Sequence, residues 1–577
     1  MAIVEQAAGT KTIAELWRRA ATREGVAYLV ERDGDWEEVS WAEATQAVDE
    51  IANGLLASGI GKGDAIGILG RTKLEWVLFD YALASIGAIG AGIYPSLPPA
   101  DCSYVLDHAD AVGVLVEDHD QRAKIDAERG NLPKLHHVWT YADLDDLRAR
   151  GREHAAANPS ALDEARASVA GDDLFTYIYT SGTTGPPKAC MITHRNFYSM
   201  VGAVDDVPGF IGPDDLILLY LPLAHNFGRC LHLLAGYVGC SIAFCPDPAR
   251  VGDFAAQVKP TVLPSVPRVY EKVHTAVLAS FDEATGLKRR LIDWALRVGR
   301  KVSGRRQAGE RVSPWLGLQH AIANRLVYSK VKARLGGRLR LPISGGAPLA
   351  REIAEFFHSI DILICEGYGQ TECTTASNVN MPTRFRFGTV GPAIPGIEVR
   401  TAEDGEVLIR GPNVFAGYYK DEEATRAVVD EDGWLRTGDI GSIDDGFLTI
   451  TDRKKDIIVT AGGKNVAPQN IENELKASKY ISQALVIGDR RPYLTALITL
   501  DDAARGLSDV HIRDLVQSAV DEVNEGKASF EQVKRFTILP RDFSPDHDEV
   551  TPTLKLRRKV VIDHFADEVD ALYVKPR

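Results

Sequence analysis

A chain of 577 residues is too long for one compact core, so we expect several domains. Apolar residues make up 45% and charged residues 25%, the composition of an ordinary soluble globular protein. The net charge of −14 argues against general affinity for nucleic acid or anionic membranes, but it leaves room for a local basic patch. We find no export signal, and the longest apolar stretch (231–245) is too short to span a bilayer. We therefore expect a cytoplasmic protein and leave peripheral membrane contact open.

The first half of the chain alternates short β-rich runs with helical patterns. Residues 65–69 (AIGIL) and 112–116 (VGVLV) have the continuous apolar character of buried strands. Residues 74–86 lie between them and predict a helix that is apolar on most faces. Residues 173–180 (DLFTYIYT) predict a further strand. This alternation favours parallel sheets covered by helices.

Two regions depart from that pattern. Residues 271–340 are rich in Ala, Leu, Arg and Lys, which predicts helices inserted between the strands. After residue 452 a helical stretch is followed by strands at 483–487 and 494–499 and by a last helix-rich portion. About 125 residues suffice for a small independent domain. We therefore place an N-terminal domain at 1–452 and a C-terminal domain at 453–577.

The stretch YTSGTTGPPKAC, which follows the strand at 173–180, packs small hydroxyls and glycines before a single lysine, Lys188. Backbone N–H groups of such a turn can approach an anion closely, and the hydroxyls and the lysine add donors. Phosphate is therefore the expected ligand. The Walker pattern is absent, because Pro187 precedes the lysine and Ala189 follows it. A Ser/Gly-rich surface turn without a ligand is the alternative.

Seven more motifs follow this stretch along the chain. They are LPLAH (221–225), SGGAPL (344–349), EGYGQTE (366–372), WLRTGD (434–439), DRKKD (452–456), GGKNVAPQNIE (462–472) and TPTLKLRR (551–558). In this order they resemble the adenylate-forming superfamily, which contains acyl-CoA synthetases, peptide-synthetase adenylation domains and luciferases. The resemblance covers the chain from about residue 179 to 559. It implies an α/β fold: a large N-terminal domain of helix-covered β-sheets with a β-barrel-like subdomain, and a small, mobile α+β C-terminal domain.

The resemblance also implies a reaction in two steps. A carboxylate attacks the α-phosphate of ATP to give acyl-AMP and pyrophosphate, and the thiol of coenzyme A then displaces AMP. Both steps develop negative charge on oxygen atoms, so fixed cations and N–H donors are expected to dominate catalysis. The implied cofactors are ATP, Mg²⁺ and coenzyme A.

By the same resemblance, the glycine-rich loop binds the β- and γ-phosphates. Its expected ligands are Thr180, Ser181, Gly182, Thr183, Thr184, Gly185 and Lys188. Glu372 is expected to coordinate Mg²⁺ together with the Thr180 hydroxyl, since this ion prefers hard oxygen ligands.

The nucleoside is expected in a slot formed by SGGAPL and EGYGQTE, with Tyr368 against the adenine ring. Asp439 is expected to accept hydrogen bonds from the ribose, assisted by Arg453; for Asp439 alone, a turn residue is the alternative. The remaining slot residues are Gly345, Ala347, Glu366, Gly367, Gly369 and Thr371.

Three residues are expected to act in catalysis: Lys555, His225 and Lys188. Lys555 matches the C-terminal lysine of the family, which reaches the α-phosphate and the carboxylate, although Leu554 stands where many relatives have glycine. Taken alone, Lys555 could be a solvated lysine in a basic run. His225 lies where the family keeps a histidine or an aromatic residue near the carboxylate. We expect it to gate or position the substrate, and a purely structural histidine is the alternative.

The second step is expected to use another set of residues. In the family, the C-terminal domain rotates about the DRKKD hinge, here with its pivot at Lys455, and exchanges Lys555 for the GGKN segment. Gly462 and Gly463 would let the backbone line a narrow pantetheine tunnel. Lys464 would contact a CoA phosphate or the site itself. Val459 stands where some relatives have lysine, and it receives no phosphate role.

The identity of the acid follows least directly from the sequence. The helical insertion and TPTLKLRR resemble bacterial long-chain acyl-CoA synthetases, so the expected substrate is a fatty acid. The expected acyl tunnel would be lined by Phe227, Leu231, Leu234, Leu263 and Val266, with room left by Gly228, Ala235 and Gly236. Three alternatives remain open: an acyl-AMP ligase that loads a carrier protein, a non-catalytic nucleotide sensor, and a luciferase-like oxygenase. We expect no nucleic-acid partner, and the oligomeric state is open.

Overall fold

The structure is a computed structural model that describes residues 11–180, 186–504, 506–551 and 556–574. The α-helices are α1 (Ile13–Ala20), α2 (Trp41–Ala57), α3 (Leu74–Ile86), α4 (Pro99–His108), α5 (His119–Ala127), α6 (Leu144–Ala157), α7 (Ala161–Ser168), α8 (His194–Gly202), α9 (Asn226–Val238), α10 (Val251–Val258), α11 (Pro267–Asp282), α12 (Gly286–Gln307), α13 (Pro314–Ala323), α14 (Ser329–Ala333), α15 (Arg351–Ser359), α16 (Glu422–Val428), α17 (Pro468–Lys476), α18 (Asp509–Asn524), α19 (Arg558–His564) and α20 (Ala566–Ala571).

The strands are β1 (Val26–Arg32), β2 (Asp35–Ser40), β3 (Ala65–Leu69), β4 (Ile89–Ile93), β5 (Gly113–Val116), β6 (His137–Thr140), β7 (Leu174–Thr180), β8 (Lys188–Thr193), β9 (Leu216–Leu219), β10 (Ser241–Phe244), β11 (Val262–Ser265), β12 (Leu341–Ser344), β13 (Cys365–Tyr368), β14 (Asn378–Val379), β15 (Glu398–Thr401), β16 (Glu406–Arg410), β17 (Gly417–Tyr418), β18 (Leu435–Asp444), β19 (Phe447–Arg453), β20 (Ile458–Val459), β21 (Asn465–Val466), β22 (Ile481–Ile487), β23 (Leu494–Leu500) and β24 (Val533–Ile538).

Two large mixed sheets form the body of the N-terminal region. One has the order β14-β13-β12-β11-β9-β10-β1-β2 and the other β17-β8-β7-β4-β3-β5-β6. Central neighbours such as β3 and β4, or β11 and β12, run parallel. Of the four pairs at the sheet edges, β1–β2, β13–β14 and β8–β17 are antiparallel and β5–β6 is parallel. Parallel strands need helical crossovers, which explains why strands and helices alternate along the sequence. The predicted helix-covered, largely parallel sheets are confirmed.

Local predictions are confirmed where apolar periodicity is strong. The strand predicted at 65–69 is β3, and the helix predicted at 74–86 is α3 with the same bounds. The predicted strands at 112–116 and 173–180 are β5 and β7, each starting one residue later. The lysine- and arginine-rich segment forms α11 to α14, as expected for a helical insertion.

The remaining strands build three smaller sheets. The region expected to be barrel-like is a four-stranded antiparallel sheet in the order β15-β16-β18-β19. Beyond residue 453, β20 pairs with β21, and β22, β23 and β24 form a sheet that packs against α17 and α18. This region has its own apolar cores, as a separate small domain requires. The boundary at residues 452/453 itself stays a prediction.

The C-terminal region docks on α11 through polar contacts. Arg268 donates to the carbonyl of Ser482 (2.9 Å) and to its hydroxyl (2.6 Å). At the other end of α11, Lys479 pairs with Asp282. A small, polar contact of this kind is compatible with a domain that can move.

A charged cluster lies in the middle of the N-terminal core. Arg229 on α9 forms an ion pair with Asp80 on α3, and both side chains are buried. His232 Nε2 lies 3.0 Å from the same carboxylate, and Arg229 donates to Thr176 Oγ1 on β7 (2.5 Å). The cluster therefore ties α9 to α3 and to the strand that leads into the glycine-rich loop. Among the described residues, no helix is both long and apolar enough to cross a membrane.

Candidate active site

The anchors of the glycine-rich loop lie side by side at the end of a β-hairpin. Thr180 ends β7 and faces Lys188, which opens the antiparallel β8. The Thr180 hydroxyl lies 3.4 Å from the Lys188 carbonyl. Five predicted phosphate ligands lie outside the described residues: Ser181, Gly182, Thr183, Thr184 and Gly185.

The side chain of Lys188 contacts the last residue of β17 and a carboxylate that follows this strand. Its ammonium lies 3.0 Å from the Asp421 carboxylate and 5.1 Å from the centre of the Tyr418 ring. Asp421 accepts from the Ala424 N–H and from Lys188, and these bonds lower the pKa of its carboxyl. Lys188 is thus a half-exposed cation at the start of β8 that is paired with a carboxylate.

Glu372 lies on the other side of Tyr418. The Tyr418 hydroxyl donates to Glu372 Oε1 over 2.7 Å, and burial raises the pKa of this phenol. Tyr418 therefore stays a neutral donor that orients the carboxylate. Within the described ranges, no group of three or more His, Cys, Asp and Glu side chains could hold a metal ion.

One oriented carboxylate fits magnesium, because this ion is usually held by one or two carboxylates and by substrate phosphates. Glu372, and the Thr180 hydroxyl at the end of β7, are the residues that would hold it.

Asp439 is the centre of a second cluster. It is almost fully buried on β18, and its Oδ2 accepts from the Tyr368 hydroxyl and from Gln370 Nε2, each over 2.6 Å. Arg453 on the neighbouring β19 lies opposite Asp439, with 3.6 Å between its Nε and Asp439 Oδ1. The structure thus places Tyr368 and Arg453, two of the expected nucleotide-binding residues, beside Asp439.

Gln370 is a site residue that the sequence analysis missed. Besides Asp439, it donates to the Thr437 carbonyl over 2.8 Å, so it ties the EGYGQTE segment to the TGD segment. Its own carbonyl accepts from Asn226 Nδ2 over 3.3 Å. The available signal was its place inside EGYGQTE, directly beside predicted site residues.

The predicted adenine slot lies where three parallel strands end. β11, β12 and β13 are neighbours, and Ser344 is aligned with both Ser265 and Glu366. The chain leaves β12 at Gly345 and Gly346. A side chain at Gly345 would come within 3.3 Å of the Phe227 ring, and Gly346 has a positive φ of 85°. Because these glycines carry no side chain, they leave the strand ends open. Ligands bind at the carboxyl ends of the strands in open α/β sheets.

The other slot residues lie along the same edge. Ala347 is exposed, and Thr371 opens the 3₁₀ turn Thr371–Cys373 that carries Glu372. A Cβ at Gly367 would make only an ordinary contact, 3.4 Å from the Asn378 carbonyl oxygen, whereas a Cβ at Gly369 would lie 2.3 Å from the Thr375 carbonyl oxygen. Gly369 is therefore required for packing of the segment, whatever it contributes to a ligand.

Glu366 is a carboxyl group in an environment that disfavours its charged form. It accepts one hydrogen bond, from the Leu349 N–H over 3.1 Å. Burial raises the pKa of Glu366 to about 7, and this bond offsets only part of the effect. Such a group is a candidate site residue, because it can switch between donor and acceptor near neutral pH.

His225 caps the helix that borders the crevice. Its Nδ1 accepts from the Phe227 N–H over 3.1 Å, which makes it the N-cap of α9. The ring is half-buried and, by fixing the start of α9, places Phe227 beside Gly345. This geometry agrees with the expected positioning role and equally with a structural one.

The expected room for an acyl tunnel along α9 is absent at the small residues that were predicted to supply it. A Cβ at Gly228 would lie 2.6 Å from the Pro222 carbonyl oxygen, and one at Gly236 would lie 2.3 Å from the Tyr81 hydroxyl. Ala235 is buried in the core as well. These residues are small so that α9 can pack closely, and that part of the prediction is wrong. Phe227 and Val266 are half-buried and stay candidates for a lining.

The predicted hinge lies at the end of β19. Asp452 is buried and accepts from the N–H groups of Arg453 (2.7 Å) and Gln469 (3.0 Å). Lys454 bonds to Asp404 over 2.7 Å. Lys455, the predicted pivot, is exposed. The Asp452 carboxylate thus joins the end of β19 to the first turn of α17.

The structure does not bring the predicted CoA-binding segment to the nucleotide cluster. Gly462, Gly463 and Lys464 are exposed in the turn between β20 and β21, and the Lys464 ammonium lies 5.9 Å from the centre of the Phe530 ring. None of the contacts among the described residues joins this turn to Lys188, Glu372 or Asp439. Lys555, the residue expected to act in the first step, lies outside the described residues.

Comparison with known proteins agrees with this arrangement. A family described as AMP-binding enzyme matches residues 16–419, and its C-terminal domain matches residues 455–577. The long-chain-fatty-acid–CoA ligase FadD15 of Mycobacterium tuberculosis is 38% identical over 94% of this chain and 93% of its own length. The peroxisomal long chain acyl-CoA synthetase 6 of Arabidopsis thaliana is 31% identical over 94% of this chain and 82% of its own.

Solved structures share the fold. The anthranilate CoA ligase AuaEII, in complex with anthranoyl-AMP, superposes with a TM-score of 0.75 at 20% identity over 99% of this chain and 100% of its own. The adenylation domain of a carboxylate reductase from Mycobacterium chelonae superposes with a TM-score of 0.77 at 21% identity, over 98% of this chain and 91% of its own. Since the family match spans well over half of the sequence, the chain belongs to the AMP-binding enzyme family.

Proposed function

We propose that this protein is an ATP-dependent long-chain fatty acid:CoA ligase that forms acyl-AMP and pyrophosphate and then acyl-CoA and AMP. The observation that carries the proposal is the cluster in which Tyr368, Gln370 and Arg453 converge on the buried carboxylate of Asp439. The likeness in sequence to long-chain-fatty-acid–CoA ligases supports the choice of acid and thiol. All seven cysteines are buried and free, which agrees with a reducing, cytoplasmic setting.

In the first step the protein binds and orients. Asp439, held by two hydrogen bonds and by the Arg453 guanidinium, accepts from the ribose hydroxyls and so places the nucleoside along the strand ends. Lys188 and the loop after Thr180 neutralise the phosphates that leave as pyrophosphate. Magnesium, when bound, supplies charge neutralisation on the phosphate oxygens. Lys555 stabilises the negative charge that develops between the fatty carboxylate and the α-phosphate.

In the second step the C-terminal domain rotates about Lys455. The turn with Gly462, Gly463 and Lys464 replaces Lys555 and lines the path of the pantetheine thiol, which attacks the acyl carbonyl and releases AMP. The turn is exposed, and the contacts that hold the domain on α11, Arg268 with Ser482 and Lys479 with Asp282, are polar, which is compatible with such a movement.

The deciding experiment is pyrophosphate release with Mg-ATP across fatty acids from acetate to stearate, with and without CoA. Release that rises with chain length and turns over only with CoA supports the ligase. A single burst of acyl-AMP that CoA does not relieve would favour loading of a carrier protein. No release with any acid would favour the nucleotide sensor, and light emission with oxygen would favour the oxygenase.

A further inference from the structure

An exposed apolar stripe runs along one helix of the inserted segment. α13, the π-turn Asn324–Tyr328 and α14 form one continuous helix. Its outer stripe consists of Trp315, Leu318, Ile322 and Leu326, which are 68%, 52%, 44% and 43% exposed. Their spacing of three or four residues places them on a single face. Solvent-exposed apolar side chains at helical spacing on one face indicate a contact with another body.

The opposite face of this helix already supplies the packing that the fold needs. Ala323, Val327 and Val331 are buried there, and the Tyr328 hydroxyl donates to the Ala295 carbonyl of α12 over 2.5 Å. The helix is therefore attached to the domain by its inner face. The outer stripe adds nothing to the described core.

The surroundings of the outer stripe are strongly basic. Residues 286–340 contain 15 Lys and Arg against two Asp and Glu, a formal +13 in a chain of −14. Within the part of the chain that the structure describes, only Arg289, Arg306, Lys332 and Arg340 of these cations form ion pairs with carboxylates. The others, including Arg325 and Lys330 beside the stripe, are exposed. The segment thus combines an apolar stripe with a concentrated positive field.

We propose that α12 and the helix 314–333 dock on an anionic lipid surface, with the outer stripe in the headgroup region and the cations on lipid phosphates. Tryptophan favours the membrane interface, and basic residues near it add attraction to anionic lipid. A second copy of the chain fits less well, because two segments of +13 would repel. Nucleic acid would leave the apolar stripe unused. The inference concerns this surface alone and does not depend on the proposed ligase function.

The test is sedimentation of the full chain with vesicles of phosphatidylcholine alone or with about one third phosphatidylglycerol. We expect binding to the anionic vesicles only, weakened at about 0.5 M NaCl relative to about 0.1 M. Trp315→Ser with Leu318→Ser should lower the partition coefficient by on the order of tenfold or more. Arg297→Glu with Arg300→Glu and Lys301→Glu should do the same, since each cation near the surface contributes.

Matched controls come from the C-terminal domain. Val510→Ser replaces an apolar side chain that is 73% exposed, and Arg490→Glu reverses a cation whose side chain is 92% exposed. Both should bind vesicles like the wild type, and all variants should keep their melting temperature. Equal binding to uncharged vesicles, or unchanged binding of the stripe variant, would overturn the proposal. Two further results without vesicle binding would also overturn the proposal. One is binding of RNA, and the other is dimerisation that the stripe variant abolishes.

Discussion

The phenol of Tyr368 and the carboxylate of Asp439 lie 2.6 Å apart although 71 residues separate them in the chain. Tyr368 ends β13 in the eight-stranded sheet, and Asp439 lies on β18 in the four-stranded sheet. Burial and the nearby Asp439 raise the pKa of this phenol well above 10, so it stays a donor at neutral pH. The pair therefore joins two sheets at the proposed ribose site.

Asp439→Asn should impair nucleotide binding. An amide oxygen is a weaker acceptor than a carboxylate, and hydrogen bonds to charged groups contribute about 1.5–3 kcal/mol. We expect kcat/KM for ATP to fall on the order of 10–100-fold in a pyrophosphate-release assay. Asp444→Asn is the control, because it lies at the exposed end of the same strand. Equal losses in both variants would mean that the effect comes from the strand and not from the site.

Lys555→Ala should separate the two half-reactions. Adenylation should fall on the order of 10²–10³, as it does when a charge-stabilising donor is removed. Thioester formation from preformed acyl-AMP and CoA should be spared. The measurement is single-turnover kinetics of each step. A similar fall in both steps would contradict the proposed domain rotation.

Gly463→Asn should have the opposite effect and slow only the CoA step. Gly463 has a φ of 73° and free space around it, and asparagine tolerates this backbone conformation, so the fold should persist. Gly506→Asn is a matched control, since Gly506 has a φ of 81° and equal space elsewhere in the same domain. Normal thioester formation by the Gly463 variant would argue against a pantetheine path past this turn.

Glu366→Gln should make stability less dependent on pH. The pKa of Glu366 rises from 4.5 to about 7 on folding, so the folded state holds its proton more tightly than the unfolded state. Wild-type stability from this group is therefore lost as pH rises from 4.5 through 7, by up to about 3 kcal/mol. In urea titrations, the free energy of unfolding of the variant should rise relative to that of the wild type as pH rises over that window. Above pH 7 the difference should stay constant. A constant difference between pH 5 and pH 8 would show that the group has an ordinary pKa.

Arg229→Leu should be strongly destabilising. Removing the guanidinium leaves the buried Asp80 carboxylate without its main partner, which costs about 3–5 kcal/mol. Asp80→Asn in the same chain should recover part of the loss in urea denaturation. Arg426→Leu, at an exposed helix position, should be close to neutral. If the double variant were no more stable than Arg229→Leu, the loss would be due to packing alone.

Several features could be predicted from sequence because their causes are local. The run at 65–69 is apolar at every position, as a strand buried on both faces must be, and α3 ends at Gly87, whose positive φ of 72° stops the helix. The resemblance to the adenylate-forming superfamily likewise assigned Asp439, Arg453 and Tyr368 to one nucleotide site. Gln370 was missed because its role depends on Thr437 and Asp439, and these approach it only after two sheets have packed together.

By itself, the sequence determined the alternation of strands and helices and the two-part organisation, because periodicity and composition act over short distances. Its resemblance to the adenylate-forming superfamily indicated the residues that meet at the strand ends. Only the tertiary structure decided what the small residues of α9 are for. The space beside Gly228 is occupied by the carbonyl oxygen of Pro222, just before the helix, and the space beside Gly236 by the hydroxyl of the distant Tyr81, so both glycines provide close packing and no tunnel. The tertiary structure also decided which side of the basic insertion carries the outer stripe. Helical spacing marks an apolar face, but only packing shows whether that face is covered.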